Sequence, residues 1–290
     1  MKIGVVGGGA IGLLLAGLLT EQSHDVTLYV RNEVQKNQIN QKGIICLPEE
    51  NTYNPRALLI DELEQEELIF ICVKQYDVEK LLPKLEHSCS TLVFLQNGMS
   101  HIDALDHFDY SNTIIIGTCE HAARKVNATT VRYTGEGKLN LALFKGDQKD
   151  FEHLNNHVSD NKFPIVLTGN WRHMLHNKLI INSVINPITA VFQVKNGALL
   201  SNPHLLYLAQ SLCKEVANEL KLNEQEQWER IRGIIEKTTE NDSSMKTDIE
   251  NNRKTEIDGI LGYLLQHSDN PKPLINNYYH AIKALEMEGV

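Results

Sequence analysis

The stretch VVGGGAIG at residues 5–12 constrains the fold more than any other feature of the sequence. It contains Gly7, Gly9 and Gly12 in the spacing GxGxxG, directly after an apolar run and at the start of a helical pattern. In this context the first glycine permits a tight turn, the second lets a pyrophosphate approach the backbone, and the third allows close packing. The alternative is a glycine-rich turn in another kind of α/β protein. We therefore expect a dinucleotide-binding turn at the edge of a Rossmann-type sheet.

Short apolar runs alternate with helical patterns through the first half of the chain. Runs of this kind are typical of strands buried on both faces of a parallel sheet, and they occur at residues 2–7, 25–30, 68–73, 91–96 and 113–117. Helical stretches at 10–22 and 77–86 supply crossovers. The segments TTVRYTG and GKLNLALF flank Glu136 and predict an antiparallel hairpin added to that sheet. Residues 32–67, with the acidic run DELEQEE, match no motif.

The second half of the chain is helical in pattern. FPIVLTG at 163–169 is typical of a last strand, and Asn170 is a candidate N-cap. Helix breakers follow near Pro187, Asn202-Pro203, Asn223 and residues 270–273. We therefore predict an α/β fold, with an N-terminal Rossmann-type doubly wound sheet at 1–168 and an all-helical C-terminal domain at 169–290.

The end of the second apolar run bears on the choice of dinucleotide. An acidic residue at this position binds the ribose 2′-hydroxyl of NAD and repels a 2′-phosphate. Here the run ends LYVRN, so Arg31 stands where that acid is expected. This favours NADP(H) because arginine forms charge-assisted contacts with phosphate. The alternatives are that Arg31 is merely solvated, or that Glu33 supplies the acid if the strand ends two residues later.

Further polar residues follow other predicted strands. Lys74 follows the third run, Asn97 and Gly98 follow the fourth, and HAARK at 121–125 follows the fifth. Ligands of doubly wound sheets bind at the carboxyl ends of the strands, which is where these residues fall. Asn97-Gly98 is equally typical of an ordinary turn. HAARK is either a loop or a segment that contacts cofactor through Ala123.

Lys178, Asn182 and Asn186 recur every four residues in the mostly apolar segment HNKLIINSVINPITA. On a helix such residues share one stripe, and burying them without partners would be unfavourable. An ammonium at Lys178 can stabilise the negative charge that develops on a ketone oxygen during reduction and can donate the proton. The alternative is a lysine that extends to solvent from the helix end. Glu256 stands at the start of another apolar helical stretch, although a glutamate is more often found at the protein surface.

Charge and composition exclude some classes of partner and site. The formal net charge of -9 disfavours nucleic acid and anionic membranes, and we find neither a signal peptide nor an uninterrupted apolar run long enough to span a membrane. Cysteine is present five times without a CxxC pair, which favours a reducing cytoplasm. The twelve histidines form no HExxH or clustered spacing, so we expect no catalytic metal.

Taken together, these motifs resemble those of the ketopantoate reductase family. The resemblance follows one order along nearly the whole chain and rests on GGGAIG, VKQYD, QNGM, HAAR, HNKLIINSVINPITA, KNGAL, SSM, TEIDGILG and PKPLINNYYHAIKALE. It implies NADPH-dependent reduction of 2-dehydropantoate (ketopantoate) to (R)-pantoate in pantothenate and coenzyme A biosynthesis. A soluble cytoplasmic enzyme, monomeric or homodimeric, is expected.

The resemblance also implies roles for individual residues. Lys178 corresponds to the general acid, and Glu256 is close to it and also contacts cofactor. The substrate-binding positions are Asn97, Lys178, Asn182, Asn186, Asn196 and Ser244. The cofactor-binding positions are Gly7, Gly8, Gly9, Ala10, Ile11, Gly12, Arg31, Lys74, Asn97, Ala123 and Glu256. The polar stripe would then face the substrate in a cleft between the two domains.

Three other functions remain open at this point. A β-hydroxyacid dehydrogenase shares a Rossmann domain, a helical domain and a lysine followed four residues later by asparagine, but lacks the full set with Asn186, Ser244 and Glu256. A paralogue with the same lysine and asparagines could act on another 2-oxo acid. A non-enzymatic NADPH sensor would not need a lysine placed for proton donation.

Overall fold

The structure is a computed structural model that describes residues 1–86, 88, 90–107, 112–267 and 270–289. The chain divides into two compact units: the first comprises 1–96 and 106–174, and the second comprises 97–105 and 175–290. In the described part of the chain, no helix is long and apolar enough to cross a membrane. Among the described residues Cys46, Cys72, Cys119 and Cys213 form no disulfide, and Cys89 lies outside the described residues.

The first unit contains the strands, which form two sheets. In chain order the strands are β1 Lys2–Val6, β2 Asp25–Val30, β3 Ile44–Leu47, β4 Asn51–Tyr53, β5 Arg56–Leu59, β6 Leu68–Ile71, β7 Thr91–Phe94, β8 Ile114–Cys119, β9 Ala122–Lys125, β10 Thr130–Gly135, β11 Leu139–Lys145 and β12 Ile165–Leu167. The larger sheet has eight strands in the order β12-β11-β8-β7-β6-β1-β2-β5. Its pairs from β5 across to β8 are parallel, and β11 runs antiparallel to β8.

The helices follow in the same chain order. They are α1 Ala10–Glu21, α2 Glu33–Lys42, α3 Val78–Leu85, α4 Ser100–Asp106, α5 Gln148–Val158, α6 Trp171–Phe192, α7 Ala198–Ser201, α8 Pro203–Leu220, α9 Glu224–Lys237, α10 Ser244–Glu250, α11 Tyr263–Gln266 and α12 Pro273–Glu288. Short 3₁₀ turns occur at Ile60–Glu62 and Gln75–Asp77, and a π-helical turn occurs at Asp258–Gly262. The predicted α/β class, with a Rossmann-type sheet followed by a helical region, is confirmed.

The strands at the centre of the larger sheet are buried, which explains why they could be predicted from apolar runs in the sequence. Strand β1 lies between β2 and β6, and Ile3, Val5 and Val6 are fully buried or nearly so. A strand with neighbours on both edges and apolar cover on both faces needs no polar alternation. The continuous apolar runs were therefore correct indicators of this sheet.

The predicted hairpin around Glu136 is wrong. Strands β10 and β11 belong to different sheets: β10 pairs with β3 and β9, whereas β11 pairs with β8 and β12. The second sheet has the order β4-β3-β10-β9. Its strands β3 and β4 come from residues 32–67, the segment without a motif. Strand β9 comes from HAARK, so HAARK forms a strand and not a loop. Two adjacent β-rich runs do not reveal which partner each one pairs with.

Helix capping in the second half agrees with the sequence at most of the predicted breaks. Asn170 accepts a 2.9 Å hydrogen bond from the backbone N–H of His173, and Asn202 and Asn223 cap α8 and α9 in the same manner. Pro187 is the exception, because α6 continues through it to Phe192. Proline removes one helical hydrogen bond and usually kinks or ends a helix, but burial of the residues around Pro187 outweighs that cost here.

Candidate active site

The candidate site residues fall into two sets, one in each unit. The first set surrounds the glycine-rich turn between β1 and α1. The second set lies on α6, on the segments that follow it, and on the turn that follows β7.

The glycine-rich turn has the geometry expected of a phosphate-binding site. Gly7 has φ +116°, and a Cβ there would lie 2.9 Å from the carbonyl carbon of Cys72. A Cβ at Gly12 would lie 1.8 Å from the Gly7 carbonyl oxygen, so only glycine lets α1 start this close to β1. Gly9 differs, because a Cβ there would meet no atom within 4 Å. Within this turn, open space therefore lies next to Gly9, where packing does not require a glycine.

The N-terminus of α1 is suited to an anion. Gly9 is its N-cap, without a side-chain hydrogen bond, and the first turn contains no acidic residue. The first backbone N–H groups of a helix need acceptors and carry partial positive charge. Ala10 and Ile11, the first two helical residues, are half-buried. This turn fits a dinucleotide pyrophosphate because open space lies beside Gly9, the first N–H groups of α1 have no side-chain cap, and its first turn contains no acid.

Of the remaining first-unit residues, Arg31 and Lys74 follow the ends of strands, whereas Ala123 lies within one. Arg31 directly follows β2 and is exposed, and Lys74 is half-buried at the start of the 3₁₀ turn after β6. Ala123 is half-buried within β9. Glu33 is the first residue of α2 and lies 3.7 Å from the Lys36 ammonium, so β2 does not extend to it. Arg31 therefore occupies the position that follows the strand.

In the second unit, α6 carries the predicted polar stripe. Lys178 and Asn182 are half-buried, and Asn186 is 8% exposed. The apolar neighbours Leu179 and Ile180 are at most 1% exposed, so the apolar residues beside the stripe belong to a buried core. Three polar groups on one stripe of a largely buried helix are typical of a polar binding surface.

Two further segments carry predicted substrate residues. Asn196 is 7% exposed and donates a 3.0 Å hydrogen bond to the Thr238 hydroxyl, while its Oδ1 is buried without a hydrogen-bond partner among the described residues. Ser244 is exposed at the start of α10. The preceding Ser243 caps α10 and accepts a 2.7 Å hydrogen bond from Thr189 of α6. These contacts connect the end of α6 to the segment that holds Ser244.

Asn97 and Glu256 are brought into direct contact. The Asn97 Nδ2 donates to the Glu256 carboxylate at 3.0 Å, and Glu256 is 7% exposed. The adjacent backbone is fitted closely: Gly98 has φ +80°, and a Cβ there would lie 2.1 Å from the Gly259 carbonyl oxygen. Met99 N–H donates to that same oxygen at 2.9 Å. The π-helical turn that contains Gly259 thereby holds Glu256 against Asn97, and such turns are frequent at functional sites.

Sequence reasoning missed two residues that contact the glycine-rich turn. The Gly8 carbonyl accepts hydrogen bonds from Gln35 Nε2 at 2.9 Å and from Lys125 Nζ at 2.6 Å. Both contacts join residues that are far apart in sequence, and a single glutamine in a polar helix gives no periodic signal. The local signal for Lys125 was the basic end of HAARK, a segment in which only Ala123 was predicted to contact cofactor.

Comparison with known proteins agrees with the resemblance. The family models for ketopantoate reductase and for its C-terminal domain match residues 3–146 and 170–285. A 2-dehydropantoate 2-reductase from Bacillus subtilis (strain 168) is 35% identical over 292 residues, which cover 99% of this chain and 98% of that protein.

Solved structures give the same result for the fold. The crystal structure of a probable 2-dehydropantoate 2-reductase from Bacillus subtilis has a TM-score of 0.88 at 36% identity, and the match covers 99% of this chain and 100% of that one. A ternary structure of D-mandelate dehydrogenase with NADH and anilino(oxo)acetate has a TM-score of 0.93 at 22% identity, with 99% of each chain covered. The second likeness supports the fold alone, since one fold serves many substrates. The chain belongs to the ketopantoate reductase family and is an oxidoreductase acting on CH–OH groups.

Proposed function

We propose that this enzyme reduces 2-dehydropantoate to (R)-pantoate with NADPH, a step of pantothenate and coenzyme A biosynthesis, with Lys178 as the general acid. The observation that carries this proposal is the stripe of Lys178, Asn182 and Asn186 on a helix that is buried over residues 183–190 and at 179–180. Full-length likeness to reductases named for this substrate supports the choice of oxo acid.

The proposed chemistry assigns one task to each polar group. When bound, the nicotinamide would supply the hydride that reduces the ketone carbon. The Lys178 ammonium stabilises the oxygen as negative charge develops and gives it a proton. Asn182 and Asn186 bind and orient the substrate from the next two turns of the helix. Asn196 and Ser244 offer further polar contacts, and the Asn196 Oδ1, which has no hydrogen-bond partner among the described residues, is proposed to accept from a substrate hydroxyl.

The preference for NADPH is supported by the charges that follow β2. Arg31 stands directly after the strand, where an acid would select the ribose 2′-hydroxyl. The nearest acid in sequence, Glu33, lies close to Lys36. Gly7, Gly8, Gly9, Ala10, Ile11 and Gly12 are proposed to hold the pyrophosphate, and Lys74, Asn97, Ala123 and Glu256 are proposed as further cofactor contacts.

The decisive experiment is a panel of substrates followed by oxidation of the nicotinamide. Purified enzyme is assayed with 2-dehydropantoate and several other 2-oxo acids, each with NADPH and with NADH, and with 3-hydroxyisobutyrate plus NAD. We expect the highest kcat/KM with 2-dehydropantoate and NADPH. Turnover of 3-hydroxyisobutyrate alone would instead assign a β-hydroxyacid dehydrogenase. A different preferred oxo acid would make the enzyme a paralogue, and binding of NADPH without any turnover would indicate a sensor.

A further inference from the structure

The glycine-rich turn is held by side chains that lie outside strand β1 and helix α1. The Gly8 carbonyl accepts from Gln35 of α2 and from Lys125 at the end of β9. Gln35 is 6% exposed, and a Cβ at Gly8 would lie 2.6 Å from its amide group. The absence of a side chain at Gly8 is therefore what allows this contact.

Gln35 connects three segments at this point. The same Nε2 donates at 2.8 Å to the carbonyl of Ala128, in the turn between β9 and β10. Its backbone N–H donates at 2.8 Å to Asn32 Oδ1, the N-cap of α2. Arg31 directly precedes Asn32 in the chain. The β9–β10 turn, the start of α2 and the glycine-rich turn thus converge next to Arg31.

The charges around this convergence favour an anion. Arg31 and Lys125 are both exposed. Two acids of this region lie beside another cation: Glu62 is 2.8 Å from the Lys36 ammonium, and Glu33, two residues after Arg31, is 3.7 Å from it. The Lys125 ammonium donates to the Gly8 carbonyl at 2.6 Å, and a lysine ammonium also forms charge-assisted hydrogen bonds with phosphate oxygens.

We propose that Lys125 is a second cationic residue that recognises the 2′-phosphate of NADPH, together with Arg31. This inference rests on the NADPH-dependent function proposed above. Lys125 belongs to the four-stranded second sheet, so the proposed contact would give that sheet a role in nucleotide selection. The hydrogen bonds of Gln35 to Gly8 and Ala128 hold the β9–β10 turn, which follows Lys125, next to the glycine-rich turn.

The test is direct measurement of dinucleotide binding, which does not depend on turnover. Dissociation constants for NADPH and NADH are measured from the fluorescence of the reduced nicotinamide, for wild type, Lys125→Gln, Lys125→Arg, Arg31→Ala and the control Lys149→Gln. Lys149 is an exposed lysine on α5 of the same unit. Thermal unfolding of each variant checks that the fold is retained.

We expect Lys125→Gln to raise the Kd for NADPH about tenfold, the size of one charge-assisted hydrogen bond, and to leave the Kd for NADH nearly unchanged. The difference should shrink at high ionic strength, and Lys125→Arg should retain most of the affinity. Arg31→Ala should show the same selectivity, and Lys149→Gln should match wild type.

Two results would overturn the inference. Unchanged binding of NADPH by Lys125→Gln would remove Lys125 from the site, and equal losses with NADPH and NADH would mean that it does not read the 2′-phosphate. Failure of the proposed NADPH preference itself would appear separately, because wild type would then bind both dinucleotides equally. That result would remove the basis for Lys125 as well.

Discussion

The side-chain amide of Asn97 donates a 3.0 Å hydrogen bond to the carboxylate of Glu256, across 159 residues of sequence. Glu256 is nearly buried, and the close approach of Gly98 to Gly259 fixes the two backbones beside this contact. A charged acceptor away from water gains more from each donor than an exposed acceptor does. The pair therefore stabilises the second unit at the same residues that are proposed to bind cofactor and substrate.

We expect Asn97→Ala to lower the free energy of unfolding by about 1.5–3 kcal/mol, the usual value of a hydrogen bond to a charged group. A double-mutant cycle with Glu256→Ala should give a coupling energy of about 1 kcal/mol or more. Urea unfolding measures both quantities, and Asn277→Ala at an exposed position of α12 serves as the control. Strictly additive effects would mean that the hydrogen bond has no energetic role.

Lys178→Ala tests the proposed acid. We expect kcat with 2-dehydropantoate to fall by several orders of magnitude while NADPH binding changes little, because the acid acts mainly in the transition state. The matched control is Lys214→Ala, at an exposed lysine of α8. Initial rates and nicotinamide fluorescence give the two readouts. Turnover close to that of wild type would remove Lys178 from the mechanism.

Alanine substitutions at Gly9 and Gly12 should distinguish a glycine needed for NADPH binding from one needed for packing. A Cβ at Gly9 meets no atom within 4 Å, so Gly9→Ala should fold with a cost of about 1 kcal/mol or less. The same methyl group would occupy the space offered to the pyrophosphate, so we expect at least a tenfold loss of NADPH affinity. Gly12→Ala should instead destabilise the fold by about 3 kcal/mol, because its Cβ would lie 1.8 Å from the Gly7 carbonyl oxygen. Urea unfolding and fluorescence titration distinguish the two effects, and intact NADPH binding by Gly9→Ala would contradict the assigned site.

Residues that act through local spacing were predictable from the sequence. Gly7, Gly9 and Gly12 reveal themselves through their spacing after a strand, and Lys178 and Asn182 through a four-residue repeat on an apolar helix. Both patterns follow from backbone geometry within one element, so no knowledge of tertiary pairing is required.

Residues that act through tertiary pairing were not predictable. The contacts of Gln35 and Lys125 with Gly8 join segments up to 117 residues apart. The separate destinations of β10 and β11 depend on which strand edges are open, and Pro187 is tolerated because of packing around α6. Glu256 could be placed only by resemblance, since its hydrogen bond with Asn97 leaves no local pattern.

His101 should make the stability of the enzyme depend on pH. It lies on α4 at 1% exposure, and neither ring nitrogen has a hydrogen-bond partner among the described residues. Burial lowers the pKa of this imidazole from 6.5 to about 4, because water no longer stabilises the charged form. Well above pH 6.5 the ring is neutral in both the folded and the unfolded chain, so it adds no pH dependence there.

Between pH 6.5 and pH 4 the unfolded chain binds a proton at His101 that the folded chain does not. The free energy of unfolding should therefore fall by about 2 kcal/mol from pH 7 to pH 5 through this group alone. His101→Leu removes the titrating ring and two unpartnered polar atoms, so the variant should lose that part of the slope and be at least as stable at pH 5. Urea unfolding at both pH values measures the difference, since wild type and His101→Leu share all other titrating groups. The exposed His204→Gln, which also lacks one imidazole, serves as the control. The same pH slope in His101→Leu as in wild type would mean that the buried ring does not govern acid stability.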